Sequence, residues 1–322
     1  MGIIAGIDEA GFGPLLGPLV VSAVVFETPG DEPVDFWHRL APAVAKAPSK
    51  RHAGVAIGDS KRIYSPSTGL VHLERGGLGF LSLLEQPCDA LRGLLRWLSP
   101  AAVEAMDDYP WYRRADLALP AEADATDLRL RANGVRDAMA AAGVKLLGGQ
   151  ARVLPAGHFN HLVAATDNKA TTLCDQTFAL IDWVWRNRPA GQSVRIVVDR
   201  QGGRQHYLPI LQRMYPRGGT FRILAEQGDH SGYAMAAEAG ELELHFLTKG
   251  ESRHLPIALA SMVSKYLREL FMKLLNRFWT DRVGAHLVPT AGYYTDGQRF
   301  LADIADALRT LDIDQALLVR SR

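Results

Sequence analysis

Residues 2–26 read GIIAGIDEAGFGPLLGPLVVSAVVF, and this stretch decides the fold. The apolar runs at 2–7 and 18–26 are typical of strands, and the loop between them is rich in glycine and proline. The pattern therefore predicts a hairpin of two antiparallel strands. Two acids, Asp8 and Glu9, directly follow the first strand. The hairpin thus carries adjacent carboxylates at its turn end.

The rest of the chain alternates between strand and helix patterns. GVAIGD at 54–59 predicts a third early strand, which would complete an antiparallel meander. Two short strands are predicted on either side of a turn at Gly148-Gly149, and further strands at 193–199, 220–226 and 241–247, with a loop rich in glycine and alanine before the last. Helices are predicted at 88–98, 127–141, 168–187, 204–215, 255–279 and 300–311. This order predicts an α/β fold: a mixed sheet, with the first three strands antiparallel and later ones parallel, flanked by helices.

The composition indicates an ordinary globular protein of 322 residues. Hydrophobic residues make up 48% and charged residues 22%, and the formal net charge is +1, so a basic excess is only local, at 249–282. No apolar run approaches the roughly 20 residues that span a bilayer. A signal peptide is not expected, because acids interrupt the N-terminal apolar stretch. The two cysteines, Cys88 and Cys174, do not make a disulfide framework, so we expect a reduced, cytoplasmic setting. Without a spanning apolar run, we expect no membrane contact.

Asp8 and Asp199 occupy similar positions, because each follows an apolar strand. A carboxylate there is costly to desolvate unless it is hydrogen-bonded or bound to a metal. Either acid alone fits a simple cap of the next turn, but the two together with Glu9 favour a site, since ligands gather at strand ends in α/β sheets. Carboxylates clustered without histidine or cysteine suit hard ions such as Mg²⁺ or Mn²⁺.

The adjacent acids pose a geometric problem. Successive side chains of a strand point to opposite faces, so Asp8 and Glu9 converge only if the backbone leaves the strand at about Glu9. Gly11 and Gly13 give the backbone the freedom to do so, and Pro14 restricts the chain beyond the turn. The sequence therefore predicts that the first strand ends near Glu9.

Five segments, in order, resemble type 2 ribonuclease H (ribonuclease HII), the family that hydrolyses RNA paired to DNA. They are GIDEAGFGPLLGPLVVSAV, GDSKRIYSP, VVDRQG, KGESRHLPIALASMVSKYLRE and AGYYTDGQ. These are similar to the family's DEAGRGP opening, its DSKKLS segment, the strand with its third acid, its KGDS segment with the ASI helix, and its GY-x-T stretch. The resemblance implies a single RNase H-like domain over 1–322, with insertions at about 66–155 and 204–245 and a helical portion at about 280–322.

The resemblance also implies a metal centre. Asp8, Glu9 and Asp199 match three of the family's catalytic, metal-binding carboxylates, and Glu251 stands where the fourth is usually an aspartate. Asp229 is a rival fourth ligand, but it lacks the helix motif that follows. By this resemblance the protein is an endonuclease that holds two ions, Mg²⁺ or Mn²⁺, bridged by Asp8. It would hydrolyse the RNA strand of RNA–DNA hybrids and leave 5′-phosphate and 3′-hydroxyl ends.

Seven further positions match residues that the family places near its substrate: Gly11, Phe12, Gly13, Lys61, Ser261, Lys265 and Tyr293. The alternative for Ser261 and Lys265 is a polar surface stripe, since with Arg268 they share one helix face. Phe12 replaces the arginine of the family's glycine-arginine-glycine. We therefore expect weaker recognition of a single ribonucleotide embedded in DNA, which is the second substrate that the resemblance implies.

Two other functions stay open on the sequence. The chain could bind hybrids with little turnover, because Phe12 and Glu251 depart from the family pattern. It could also be a nuclease of the same fold that acts on another structure, such as branched DNA. Neither a protein partner nor an oligomeric state is indicated by the residues.

Overall fold

The computed structural model describes residues 2–30, 34–49, 54–216, 220–237 and 240–321. Its strands are β1 Gly2–Ala10, β2 Leu19–Thr28, β3 Val44–Ala45, β4 Val55–Ala56, β5 Lys145–Leu154, β6 Val194–Asp199, β7 Phe221–Gln227, β8 His230–Ala237 and β9 Gly240–Leu247. Within these residues, seven strands form one sheet in the order β5-β2-β1-β6-β9-β8-β7, and β3 pairs with β4 separately.

The pairing directions confirm the predicted mixed α/β class. Strand β2 is antiparallel to both β1 and β5, whereas β6 is parallel to both β1 and β9. Strand β8 then pairs antiparallel with β9 and with β7. Because Ile7 of β1 lies opposite Val198 of β6, the acids that follow, Asp8 and Asp199, reach the same edge of the sheet.

Three strand predictions were wrong in detail. The third strand predicted at 54–59 shrinks to β4, which pairs outside the main sheet, and β5 takes its place beside β2. Residues 145–154 form one strand rather than two around a turn, because Gly148 and Gly149 both pair with β2. The loop predicted before residue 241 is instead strand β8, which is hydrogen-bonded to β7 and to β9. Its glycine and alanine content conceals the alternation of apolar and polar side chains that usually predicts a strand.

Helices flank the sheet on both faces. They are α1 Phe36–Arg39, α2 Ser60–Ile63, α3 Val71–Leu73, α4 Gly79–Ser82, α5 Leu91–Leu98, α6 Pro100–Ala105, α7 Ala125–Ala142, α8 Ala156–Thr166, α9 Lys169–Asn187, α10 Leu208–Met214, α11 Leu255–Val283, α12 Tyr294–Asp303 and α13 Ala305–Thr310, with a π-helical turn at Glu74–Leu78 and 3₁₀ turns at Met106–Asp108, Gly250–Ser252 and Gln315–Leu317.

These bounds confirm the helices predicted at 88–98, 127–141, 168–187 and 255–279. The helix predicted at 204–215 is shorter and begins at Leu208, and the one predicted at 300–311 is split into α12 and α13. No helix among the described residues is long and apolar enough to cross a membrane.

Alternate side chains of β1 build two cores, one on each face of the sheet. Ile3 and Ile7 belong to a cluster with Phe159 of α8 and Phe178 of α9. Ile4 points the other way, into a larger cluster that includes α11. This period of two is the ordinary consequence of strand geometry, and it places α11 on the face of β1 to which Ile4 and Asp8 point.

Helix α11 lies against β1 with no room for a side chain between them. A Cβ on Gly6 would fall 2.0 Å from the carbonyl carbon of Pro256 and 2.3 Å from the amide nitrogen of Ile257. Farther along the helix, the buried Ser264 hydroxyl donates to the backbone carbonyl of Asp8 at 3.0 Å. The helix is therefore fixed against the strand that carries the first acid.

The segment predicted as an insertion at 66–155 is packed into the α11 core. Glu74 is fully buried in its π-helical turn, and its carboxylate accepts hydrogen bonds from the backbone N–H groups of Ala121 and Ala123. The same carboxylate accepts from the hydroxyl of Tyr266 on α11 at 3.0 Å. This contact ties the segment to α11, and the division of the chain into one domain with insertions stays a prediction.

We expect Gly6→Ala to lower the free energy of unfolding by about 3 kcal/mol or more, because the new methyl group has to push the α11 backbone away from β1. Urea denaturation followed by circular dichroism measures the change. Gly134→Ala is the matched control. It lies in α7 with open space around it, so the same substitution should stabilise the protein by about 0.5–1 kcal/mol. Equal effects of the two substitutions would contradict the close approach.

Candidate active site

A cavity of about 290 Å³ opens at the sheet edge where β1 and β6 end. Apart from the rival acid Asp229, its lining contains the residues that the sequence singled out for the site, from segments far apart in the chain. The lining residues are Asp8, Glu9, Ala10, Gly11, Phe12, Gly13, Pro14, Asp59, Ser60, Lys61, Asp199, Glu251, Ser261, Lys265, Arg268 and Tyr293. The fold therefore brings the four carboxylates and the seven predicted substrate positions together.

The two adjacent acids lie at the very end of β1. The strand continues in register with β2 through Ala10, one residue beyond the end predicted at about Glu9. Both side chains still line the cavity, because β1 ends there and Gly11, with φ of +85°, turns the chain away. Glycine is required at this turn, since a Cβ would lie 2.5 Å from the carbonyl oxygen of Pro18.

Asp199 and Glu251 are held together by the 3₁₀ turn before α11. The backbone N–H of Gly250 donates to Asp199 Oδ1 at 2.7 Å, which fixes the turn against the end of β6. A Cβ on Gly250 would lie 2.5 Å from Ile257 Cδ1 and 3.3 Å from Asp199 Oδ1. A side chain at position 250 would crowd both Ile257 and Asp199, and the next residue in the turn is Glu251.

Burial and mutual repulsion raise the pKa values of three of these carboxyls. The pKa of Asp8 lies well above its usual range because the group is buried and lies beside Glu9, although a hydrogen bond with Ser261 opposes the shift. Burial, followed by the charge of Asp199, raises the pKa of Glu9 to about 7. Burial, followed by the charge of Asp8 and then by Glu251, raises the pKa of Asp199 to about 8. A cation in the cavity would relieve this repulsion.

The donor set fits a hard cation better than a soft one. The four acids offer carboxylate oxygens, and the cavity lining contains no histidine or cysteine. Oxygen ligands of this kind suit Mg²⁺ and Mn²⁺. Among the described residues, however, no three such side chains already converge on one point as metal ligands. The carboxylates surround a shared space and repel one another, so binding a cation would draw them inward.

Asp229, the rival fourth ligand, lies outside the cavity lining. Its carboxylate accepts a hydrogen bond from Arg253 at 3.0 Å, and both side chains are largely exposed. Its backbone carbonyl accepts a hydrogen bond from the N–H of Thr248. The geometry therefore favours Glu251 over Asp229 as the companion of Asp8, Glu9 and Asp199.

The predicted substrate residues on α11 are not an exposed stripe, since Ser261 and Arg268 are 5% and 1% exposed. Ser261 Oγ lies 3.0 Å from Ser60 Oγ, which joins α11 to the DSK segment. Lys265 Nζ is paired with Glu269 at 2.7 Å, so part of its charge is already neutralised.

Lys61 is the exposed cation of the DSK segment. It lies in the first turn of α2, and its charge partly opposes the rise in the pKa of Glu9. Lys61 and Lys265 both line the cavity, but Lys265 is paired with Glu269, so Lys61 is the better placed of the two to meet a substrate.

The loop of Gly11, Phe12 and Gly13 forms one wall of the cavity. The ring of Phe12 packs against the core between the sheet and α9, and Lys169 Nζ lies 5.4 Å from its centroid. A cation thus stands beside the position where the resembled family has arginine. Sequence reasoning missed Lys169, because nothing in its local pattern links the start of α9 to this loop.

Two buried arginines donate hydrogen bonds to backbone carbonyls in and around the same loop. Arg268 of α11 donates to the carbonyl oxygen of Leu16 at 3.4 Å and to that of Ala291 at 2.8 Å. Arg320 donates to the carbonyl oxygens of Gly11 and Phe12. Burial, followed by the charge of Arg268, lowers the pKa of Arg320 to about 9. The local sequence carries no signal for Arg320, since its partners Gly11 and Phe12 lie 309 and 308 residues earlier in the chain.

Tyr293 stands at the mouth of the cavity with 56% of its surface exposed. The guanidinium of Arg268 lies 5.9 Å from its ring centroid. The backbone just before it is fixed, since the carbonyl of Gly292 accepts hydrogen bonds from the N–H groups of Leu15 and Leu16. An exposed aromatic ring on a fixed backbone is suited to stacking against a sugar or base.

Comparison with known proteins gives matches among solved structures alone, since no family model and no curated protein matches the chain. Ribonuclease HII of Archaeoglobus fulgidus, solved in a complex with PCNA, is 14% identical over 99% of this chain and 94% of its own, with a TM-score of 0.43. Ribonuclease H2 of Pyrococcus horikoshii is 13% identical over 98% and 92%, with a TM-score of 0.42. Bst-RNase HIII, solved with Mn²⁺, is 15% identical over 99% and 66%, with a TM-score of 0.39.

These matches are ribonucleases of types HII, H2 and HIII, the class that the five sequence segments resemble. Identities of 13–15% and TM-scores of 0.39–0.43 do not show which function this protein has. The function is therefore inferred from the residues that line the cavity.

We expect the metal-free protein to lose stability as the pH rises from about 4 towards 8. Asp199 titrates near 4 when unfolded but at about 8 when folded, so the folded state binds its proton more tightly and is penalised once that proton leaves. Asp199→Asn keeps the acceptor for Gly250 and removes the charge. It should raise the melting temperature at pH 8.5 in EDTA by at least about 2–4 °C, the effect of roughly 1 kcal/mol.

Asp229→Asn is the control for this experiment, because Asp229 is an acid outside the cavity. It should keep the pH dependence of the original protein. A pH profile that is unchanged by Asp199→Asn would show that the cluster is not under electrostatic strain.

Proposed function

We propose that this protein is a metal-dependent ribonuclease H that hydrolyses the RNA strand of RNA–DNA hybrids. One observation carries the proposal: Asp8, Glu9, Asp199 and Glu251 come from three distant segments and line a single cavity at the sheet edge. The five sequence segments that resemble ribonuclease HII contribute the lining of that same cavity. A cytoplasmic setting belongs to the same proposal.

The carboxylates would hold Mg²⁺ or Mn²⁺. When bound, such ions supply an activated water and stabilise the charge that develops on the leaving oxygen. Asp8 is the most buried of the four, and hydrogen bonds at its carboxyl and its carbonyl, from Ser261 and Ser264, fix its orientation. Asp199 is oriented by the Gly250 N–H. These contacts hold two of the acids at the cavity, and a bound cation would draw the four carboxylates together.

The rest of the lining supports binding of a nucleic-acid strand. Lys61 offers a positive charge for a phosphate, and Tyr293 offers an exposed ring for stacking. The loop of Gly11, Phe12 and Gly13 offers backbone N–H groups, which can bind a ribose hydroxyl or a phosphate oxygen. Together they would place a sugar–phosphate backbone across the carboxylates. Water would attack the phosphorus while the bond to the 3′ oxygen breaks, which would leave 5′-phosphate and 3′-hydroxyl ends.

We expect Asp8→Asn and Asp199→Asn each to lower cleavage of an RNA–DNA hybrid by at least about 100-fold in Mg²⁺ or Mn²⁺, because each removes charge needed to hold the cation. Single-turnover cleavage of an end-labelled hybrid gives the rate, and circular dichroism checks folding. Asp229→Asn should stay within about twofold, since it leaves the cavity unchanged.

If the original protein leaves the hybrid intact in both metals, the proposal fails. Hybrid binding without cleavage would then favour the catalytically weakened binding protein. Cleavage of branched DNA instead of the hybrid would favour a nuclease of another specificity.

We expect Phe12→Arg to raise cleavage of a DNA duplex with one ribonucleotide about tenfold relative to cleavage of a continuous hybrid. A guanidinium at this position can donate to a phosphate, and a charged hydrogen bond contributes about 1.5–3 kcal/mol. The two rate constants measured on one enzyme preparation give the ratio. Phe12→Met, which stays apolar, should leave the ratio unchanged, and the same ratio in all three proteins would argue against Phe12 as a specificity residue.

A further inference from the structure

Arg320 carries a buried guanidinium that contacts the loop after β1, although it lies 309 residues after Gly11 in the sequence. It is 3% exposed, and it donates to the carbonyl oxygens of Gly11 and Phe12, the second at 3.0 Å. Its guanidinium lies 4.0 Å from the ring centroid of Phe159. In the described part of the chain, no carboxylate pairs with it. Because a buried cation without a counter-charge is costly, the loop carbonyls are the groups that justify its burial.

These contacts determine where the loop's N–H groups point. The peptide bonds on both sides of Phe12 are trans. In a trans peptide the carbonyl and the following N–H point in opposite directions. With the carbonyls of Gly11 and Phe12 turned towards Arg320, the N–H groups of Phe12 and Gly13 point away from it. Neither N–H has an acceptor among the described residues, and both residues line the cavity.

The segment around Arg320 is itself fixed to the loop. Val319 forms an antiparallel bridge with Leu16, and the N–H of Arg320 donates to the carbonyl of Leu15 at 3.0 Å. A Cβ on Gly11 would also lie 2.7 Å from Nε of Arg268, so a second guanidinium lies close to the loop. The loop thus has two guanidinium groups next to it, although its own position 12 carries phenylalanine instead of arginine.

We propose that Arg320 is a positioning residue for the nuclease reaction, and this rests on the proposed function. It holds the loop so that the N–H groups of Phe12 and Gly13 bind the sugar–phosphate backbone at the cleaved nucleotide. It also supplies, from behind the loop, a fixed positive charge next to the site where that backbone lies.

Arg320→Met tests this, because methionine keeps much of the apolar stem and removes the two donors. The kcat/KM for a hybrid should fall on the order of 100-fold, the cost of a misplacement of about 1 Å at a reacting centre. Hydrogen–deuterium exchange of residues 10–16 should become at least about tenfold faster, since the loop carbonyls lose their anchor.

Arg188→Met is the matched control. Arg188 also lies over an aromatic ring, 3.3 Å from the centroid of Trp185, and also donates to backbone carbonyls, those of Gln192 and Trp185. It stands at the far end of α9, outside the cavity lining. Its loss should lower the melting temperature but leave kcat/KM and the exchange of residues 10–16 within about twofold.

Chemical rescue distinguishes a guanidinium that positions the loop after β1 from a side chain that only stabilises the fold. Methylguanidinium should restore a saturable part of the activity of Arg320→Ala, and methylammonium should not, because a point cation lacks the planar fork that binds two carbonyls. If folded Arg320→Met shows unchanged kcat/KM and unchanged loop exchange, the proposal is overturned. Activity that is lost only in proportion to the folded fraction overturns it as well.

If the methionine variant does not fold, Arg320→Lys is the substitute. Lysine keeps the charge and one donor, so it should lower kcat/KM about tenfold and speed loop exchange, and unchanged values would reject the role. If the original protein cleaves nothing in either metal, the proposed function fails. Loop exchange in the variants still decides whether Arg320 positions the loop.

Discussion

The contact between the backbones of β1 and α11 at Gly6 is the constraint on which the rest of the site depends. Since no side chain separates the two backbones at Gly6, the helix packs directly on the strand, and moving it away would open a void in the core. Ser261 and Ser264 are thereby brought to the carboxyl and the carbonyl of Asp8. The turn before α11 binds Asp199 through Gly250, so this part of the chain contacts both acids that the pairing of β1 with β6 brings side by side.

Charges of both signs lie around the loop after β1. Four carboxylates line the cavity together with Arg268, which pairs with Glu269 at 3.0 Å, whereas the buried Arg320 contacts the loop carbonyls. The clustered carboxylates and the buried Arg320 both cost the metal-free fold stability, because like charges repel and a buried cation loses its hydration. A fold that keeps such costs at one place is typical of a site built for a ligand, since functional sites are where local rules are broken.

Much of the site could be predicted from the sequence, because its residues lie in short segments with a strong local pattern. Local patterns predicted the acids at the ends of two strands, Asp8 and Asp199, and the long amphipathic helix. The structure confirms that helix as α11. The predictions failed where a long-range partner decides the structure. Strand β5 runs through Gly148-Gly149 because β2 pairs with it, and β8 exists because β7 and β9 flank it. Arg320 and Lys169 reach the loop by tertiary packing alone, which no local pattern encodes.

The bond between Arg320 and Gly11 spans 309 residues, and this has a consequence for how the protein is made. Domains generally fold as units during synthesis, so contacts within one unit form once both partners have been made. The carbonyls of Gly11 and Phe12 can meet the Arg320 guanidinium only after residue 320 has left the ribosome. The loop after β1, although it is made early, would therefore take up its final orientation only late in synthesis.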